Sequence, residues 1–335
     1  MRKVFTHAYH DIISLENLLC AWQEFVKGKR KREDVQEFEL HLMQNIVSLH
    51  TDLKNKTYHH GTYHAFNISD PKPRNIHKAT VRDRLLHHAI YRILYPFFDS
   101  TFIAHSYSCR KGKGVHKALN TFRSFSYQMS CNNTKTVWVL KCDIRKFFAT
   151  IDHDVLLFVL GRYIPDTDIF WLLSEVIESF QSSHSTLFEK KGLPLGNLTS
   201  QLLVNIYMNE FDQFIKHKLR ARYYIRYADD FVIMRRNKNH LHKTLRYIVR
   251  FLRSELKLEL HSQKVSIETL ASGIDFLGWV HFFNHRVLRT VTKRRMLKRI
   301  QEKGKGSAAA SYLGLLSHGN TKKLQKYIVS NMGIN

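Results

Sequence analysis

The chain has 335 residues, 44% of them hydrophobic, enough for a sizeable core in one large or two modest domains. Its 53 lysines and arginines against 28 acids leave a formal net charge of +25, which calls for a polyanionic partner, nucleic acid ahead of a membrane surface. There is no run of about 18 apolar residues to span a bilayer, the start Met1-Arg2-Lys3-Val4-Phe5 makes a poor signal peptide, and four scattered cysteines without a C-x-x-C pair argue against zinc or a disulfide framework and fit a reducing cytoplasm.

Along the chain, residues 8–56 read as helical. Apolar positions recur at helical spacing through Leu15, Leu18, Leu19, Trp22 and Phe25, then Phe38, Leu42, Ile46 and Leu49. The basic run Lys27 to Arg32 breaks the two stretches. Residues 62–68 alternate as a short strand, and Asp70-Pro71-Lys72-Pro73-Arg74 forms a turn. Leu85 to Phe98 returns to helix, and Cys109 to Gly114 is a basic loop. Val137 to Ile144 is an apolar strand, 153–180 is mainly helical, and Leu198 to Lys218 is a long apolar helix. A hairpin follows around Asp229 and Asp230, then a helix over about 239–257, strands near 264–268 and 274–283, and a basic helical tail from Val291 interrupted by Lys303 to Ser307. The 21 histidines do not cluster at metal-ligand spacing, and none is assigned to catalysis.

The chemistry concentrates in the acids. Tyr227-Ala228-Asp229-Asp230 lies between strand-forming runs, with the acids where a tight hairpin turns. Adjacent carboxylates repel unless a positive charge neutralises them, and a divalent metal is the usual solution. Asp143 closes the apolar strand that starts at Val137, and an acid there is costly unless paired. Read alone, Asp143 is more often a cap or turn residue. With Asp229 and Asp230 it can meet them on one sheet edge and hold two magnesium ions about 4 Å apart, the arrangement of two-metal phosphoryl transfer.

Tyr-x-Asp-Asp on a hairpin resembles the signature of reverse transcriptases, and Asp143 with Phe147-Phe148 resembles the preceding palm motif of that family. The order of further motifs agrees. Gly192-Leu193-Pro194-Leu195-Gly196-Asn197-Leu198-Thr199-Ser200-Gln201 resembles the family's Gln-Gly-x-x-x-Ser-Pro segment, with Leu195 in place of Gln and Gln201 in place of Pro. Pro71 to Ile76 resembles the fingers region, Leu258 to Lys264 a lysine-bearing motif, and Gly273 to Trp279 the primer-grip hairpin. The resemblance covers roughly residues 55–285.

That resemblance implies an α+β right-hand polymerase, with interleaved fingers and palm over residues 1–285 and a small helical thumb over 286–335. It implies RNA-directed DNA synthesis with two Mg2+ ions, Mn2+ being able to substitute. Asp143, Asp229, Asp230 and the carbonyl of Ile144 would face the metals. Lys72 and Arg74 would clamp the triphosphate, as arginine suits bidentate phosphate contact. Arg84 alternatively pairs with a nearby acid. Phe148 would exclude a ribose 2′-hydroxyl, Leu195, Gly196 and Gln201 would lie beside the incoming nucleotide, and Lys264 would give a proton to pyrophosphate. Arg294, Arg295 and Lys298 on the last basic helix would grip template–primer phosphates.

Leu195 and Gln201 make the chain most similar to the reverse transcriptases of diversity-generating retroelements, bacterial or phage enzymes of a group II intron-like lineage. Their resemblance implies a template RNA copied with errors at adenines, dNTPs and a cDNA primer as partners, a small basic accessory-protein oligomer, and a cytoplasmic location without membrane contact. Two alternatives stand beside it. One is a retron or abortive-infection reverse transcriptase, although no retron-type Val-Thr-Gly thumb motif occurs. The other is a catalytically silent RNA-binding protein with a polymerase fold.

Overall fold

The spacing of apolar residues along the N-terminal region produces four helices: α1 (Tyr9–Ile13), α2 (Leu15–Phe25), α3 (Glu33–Leu40) and α4 (Leu42–Lys54). They belong to a computed structural model that describes residues 3–69, 73–186, 189–303 and 307–332. Next come β1 (His64–Ile68), β2 (Arg74–Lys78), α5 (Val81–Asp99), α6 (Val115–Met129) and β3 (Trp138–Asp143). Helices α7 (Phe147–Thr150), α8 (His153–Gly161), α9 (Thr167–Glu178) and α10 (Leu198–Gln213) follow, the last running into a π-helical turn, Phe214–Lys218. The chain continues through β4 (Tyr224–Tyr227), β5 (Asp230–Arg235), α11 (Lys238–Leu256), a 3-10 turn at Ser262–Lys264 and β6 (Ser266–Thr269). It ends with β7 (Ile274–Phe276), β8 (Trp279–His281), β9 (Arg286–Leu288), α12 (Thr290–Lys303), α13 (Ser307–Leu316) and α14 (Lys322–Met332). No helix among the described residues is long and apolar enough to cross a membrane.

Three elements depart from the sequence reading. Arg74 opens a strand, β2, rather than closing a turn. Helix α5 starts at Val81, ahead of Leu85, because the Thr80 hydroxyl caps it by accepting from Asp83 N–H. Helix α6 is new, and it buries Ala118, Leu119, Phe122 and Ser126.

The chain divides into two compact units, each built from three segments. The first comprises Met1–Ala104, Ile144–Lys218 and Val249–Glu259, and the second His105–Asp143, Leu219–Ile248 and Leu260–Asn335. The boundary expected at 285/286 falls inside the second unit.

In the first unit α5 packs on α2 and α10, burying Leu18, Trp22, Phe25, Leu86, Ile90 and Leu94. Ion pairs tie its surface, among them Arg84 and Lys78 on Asp34 and Arg82 on Asp52. Arg84 is therefore the structural cation that the sequence left as an alternative.

The second unit is built on an antiparallel sheet in the order β4-β5-β3-β6. Alternate residues Val139, Ile225, Val232 and Met234 form one core with Ala118 and Phe122 of α6. Cys142, Tyr224, Phe231 and Ile233 are buried as well, so the strands read as continuous apolar runs instead of alternating ones. A smaller sheet, β7-β8-β9, packs Trp279 and Leu288 against Met296, Leu316 and Ile328 of the last three helices.

Candidate active site

Strand register brings the acids together. Asp143 is the last residue of β3 and lies opposite Asp230, the first residue of β5, while Tyr227 of β4 pairs with Asp230 across the hairpin. Ala228 and Asp229 form the two-residue turn. Ala228 sits at φ 54°, a left-handed conformation that costs a residue with a Cβ roughly 1–2 kcal/mol. The turn is held from beneath by Arg226, which is wholly buried: one guanidinium nitrogen donates to Ala228 O at 3.1 Å and another to Ser106 Oγ at 3.0 Å. The Arg226 backbone also pairs with His105 and Tyr107, so the segment before α6 extends the sheet beside the hairpin. The sequence reading missed Arg226. Its signal was a charged residue inside an apolar strand, where only a bonded guanidinium is tolerated.

The electrostatics of this sheet end are unbalanced. Burial, then the charges of Asp229 and Asp143, push the Asp230 carboxyl up to about 7, with Lys141 opposing. A hydrogen bond with Asp143 works in the same upward direction. Lys264, on the 3-10 turn that packs against β3, donates to both oxygens of Asp143, at 2.9 and 3.0 Å. The backbone fixes that turn, because His261 N–H donates to Asp143 O at 2.8 Å. Among the described residues no three His, Cys, Asp or Glu side chains are grouped to ring a metal ion unaided. The donor type suits a hard divalent cation: three carboxylates share one sheet end, and burial together with the neighbouring charges favours the protonated form of one of them.

Among the described residues, the nucleotide-pocket residues expected from sequence lie in the first unit, apart from Lys264. Three of them frame one loop. His77 N–H of β2 donates to Leu195 O at 3.0 Å, and Asn197 Nδ2 donates back to His77 O at 2.9 Å. Gly196 has φ 106°, and a Cβ there would meet Ile76 Cγ2 at 2.9 Å. On the other side of the loop Leu193 N–H donates to Phe148 O at 2.8 Å, which joins Phe148 to the segment two residues ahead of Leu195. Phe148 and Leu195 are half-buried. Gln201 lies in the first turn of α10, where its carbonyl accepts from Asn205 Nδ2. Ile144 is buried, and Arg74 is exposed at the tip of the β1–β2 hairpin. Lys72 lies outside the described residues. In the second unit α12 buries Met296 and Ile300 and leaves Arg294 and Lys298 exposed and Arg295 half-buried; Lys298 pairs with Glu302 at 3.7 Å.

The family model described as "Reverse transcriptase (RNA-dependent DNA polymerase)" matches residues 68–281. Protein YkfC of Escherichia coli is 28% identical over 286 residues, covering 74% of this chain and 72% of its own. Group II intron-encoded protein LtrA of Lactococcus lactis is 23% identical and covers 88% of this chain, which spans only 59% of LtrA. A telomerase structure from Candida albicans, in complex with a fragment of telomeric RNA, superposes with a TM-score of 0.52 at 12% identity, over 84% of this chain and 53% of that one. The shared fold is therefore the right-hand polymerase fold, and with a family model that spans both β3 and the acidic hairpin the chain belongs to the reverse transcriptase (RNA-dependent DNA polymerase) family.

Proposed function

We propose that the protein is an RNA-directed DNA polymerase, with Asp143, Asp229 and Asp230 as its catalytic acids. The observation that carries this reading is the register of β3 on β5, which sets Asp143 opposite Asp230 beside the Asp229 turn. Asp143 and Asp229 would hold divalent metal, with Ile144 O contributing and Asp230 assisting through its charge. Bound Mg2+ supplies charge neutralisation on the triphosphate and lowers the pKa of a primer 3′-hydroxyl. Lys72 and Arg74 bind and orient the phosphates, and the Phe148 ring excludes a 2′-hydroxyl. Lys264 releases Asp143 and carries a proton toward the leaving pyrophosphate. Arg294, Arg295 and Lys298 hold the template–primer backbone.

Primer extension on poly(rA)/oligo(dT) with Mg2+ tests the reading. Wild type should incorporate dTTP, and Asp229→Ala should lose at least about 100-fold of that rate. Equal activity in the two proteins, or none in either with any accessory protein supplied, overturns it.

Within the family the substituted Leu195 and Gln201 support a diversity-generating enzyme that works with a small basic accessory oligomer and misreads template adenines. Leu195 is tied by its carbonyl to β2, so its side chain is held at a fixed position in the loop. Leu195→Gln should lower adenine misincorporation severalfold in sequenced cDNA. An unchanged error spectrum sinks the subgroup reading while leaving the polymerase reading intact.

A further inference from the structure

A cleft of about 400 Å3 opens in the second unit, and none of the three acids lines it. It lies between α6, the β8–β9 hairpin and the turn that joins α13 to α14. None of its lining residues is acidic, while Arg123, Arg286, His281, His285 and His318 all face it. Arg286 is anchored by two bonds, from Nε to His318 O and from Nη2 to Asn120 Oδ1 at 3.3 Å. Its remaining nitrogen, Nη1, is buried with no hydrogen-bond partner. Burial and the charge of Arg123 both push Arg286 below its usual value, so two cations face each other without a carboxylate. Such a pair is relieved by an anion with several acceptor oxygens.

His281 supplies an independent observation. It is only 3% exposed, and its Nε2 is also buried without a partner. Burial and Arg286 push its pKa down to about 3, so the ring is neutral. Phe276 O takes the ring's other nitrogen as donor, which leaves Nε2 an acceptor awaiting an O–H or N–H. At the mouth Phe282 and His285 stack at 4.9 Å and 17°, a flat platform. A donor for a phosphate oxygen, an acceptor for a hydroxyl and a flat aromatic surface describe one ribonucleotide residue.

We propose that this cleft anchors single-stranded RNA, with Arg123 and Arg286 on a phosphate, His281 Nε2 accepting from a ribose 2′-hydroxyl and a base stacked on Phe282. No catalytic acid lines the site, and an inactive enzyme would keep it.

Photocrosslinking of the full-length protein to a 4-thiouridine-substituted single strand of about 12 nucleotides, followed by peptide mapping, tests the proposal. Crosslinks should fall on the segment 281–286, in wild type and in Asp229→Ala alike. Arg123 is exposed, so Arg123→Gln should fold normally. It should cut those crosslinks at least about threefold and flatten the log Kd versus log salt slope for the same RNA by about 0.7. Lys243→Gln, an exposed cation on α11, should leave the crosslinks unchanged. Absence of crosslinks at 281–286 while RNA labels other segments, or insensitivity to Arg123→Gln, overturns the site. Equal labelling by the matching 4-thiothymidine DNA removes the hydroxyl contact. Competition by ATP as strong as by RNA at the same nucleotide concentration reassigns the cleft to free nucleotides.

Discussion

Negative charge concentrates at Asp230, and the consequence is a stability cost that depends on pH. Its folded value near 7 lies above that of an unfolded aspartate, so the native state binds the proton more tightly. The stabilising contribution is complete below about pH 4 and is lost as pH rises through about 7. Asp230→Asn removes the charge and keeps the shape. It should raise the unfolding free energy at about pH 8 by on the order of 2 kcal/mol and flatten the pH dependence between about 4 and 7. Urea titrations across that range measure both effects. An Asn variant no more stable than wild type at high pH would show that the three carboxylates do not repel as their register implies. The same substitution should depress primer extension, the trade expected where a site stores repulsion for a ligand.

Elements explain which parts of this geometry were legible in the sequence. Strand β3 was legible because a mostly apolar run, broken only by Lys141, ends at Asp143, and the hairpin because two mostly apolar runs flank a two-residue turn. Helix α6 was not. Gly114 precedes it without a side-chain cap, and polar residues separate its few buried positions. Strand β2 has one aliphatic residue, Ile76, and exists because β1 pairs with it and the 195–197 loop bonds to His77. Long-range pairing of this kind leaves no periodicity to read. For the same reason the acids stand out in the sequence, and so does Arg226 as a charge inside a strand, whereas the partners that Arg226 and Lys264 take do not, since they are set by tertiary contact. The β2–loop junction carries its own prediction. Gly196→Ala adds a Cβ 2.9 Å from Ile76 and places it at φ 106°. It should destabilise the protein by about 1–3 kcal/mol, read as a lower urea midpoint. A compensating Ile76→Ala in the same chain removes that Cγ2 and should recover the steric part only. Full recovery would mean that backbone conformation costs nothing at this position.

At the scale of the whole molecule the net charge of +25 acts as a long-range attraction for nucleic acid, and the grip proposed for helix α12 would turn part of it into a defined contact. Met296 and Ile300 fix the rotation of α12 by burying one stripe, so Arg294 and Lys298 are presented to solvent by the same packing that anchors the helix. Charge spread evenly over the surface would lose only a small share of its pull when three residues are neutralised. Charge focused on a strand backbone would lose one released counterion for each phosphate contact removed. Replacing Arg294, Arg295 and Lys298 together by Gln should therefore flatten the log K versus log salt slope for an RNA–DNA hybrid by about 2 to 3, at roughly 0.9 for each contact. Fluorescence anisotropy between about 50 and 200 mM KCl reads the slope. The unfolding free energy from urea titration should stay within about 0.5 kcal/mol of wild type, because the substitutions leave the Met296 and Ile300 stripe in place. An unchanged slope with an unchanged midpoint would mean that α12 contributes bulk charge alone, and the grip on template–primer would then have to come from other basic surfaces of the chain.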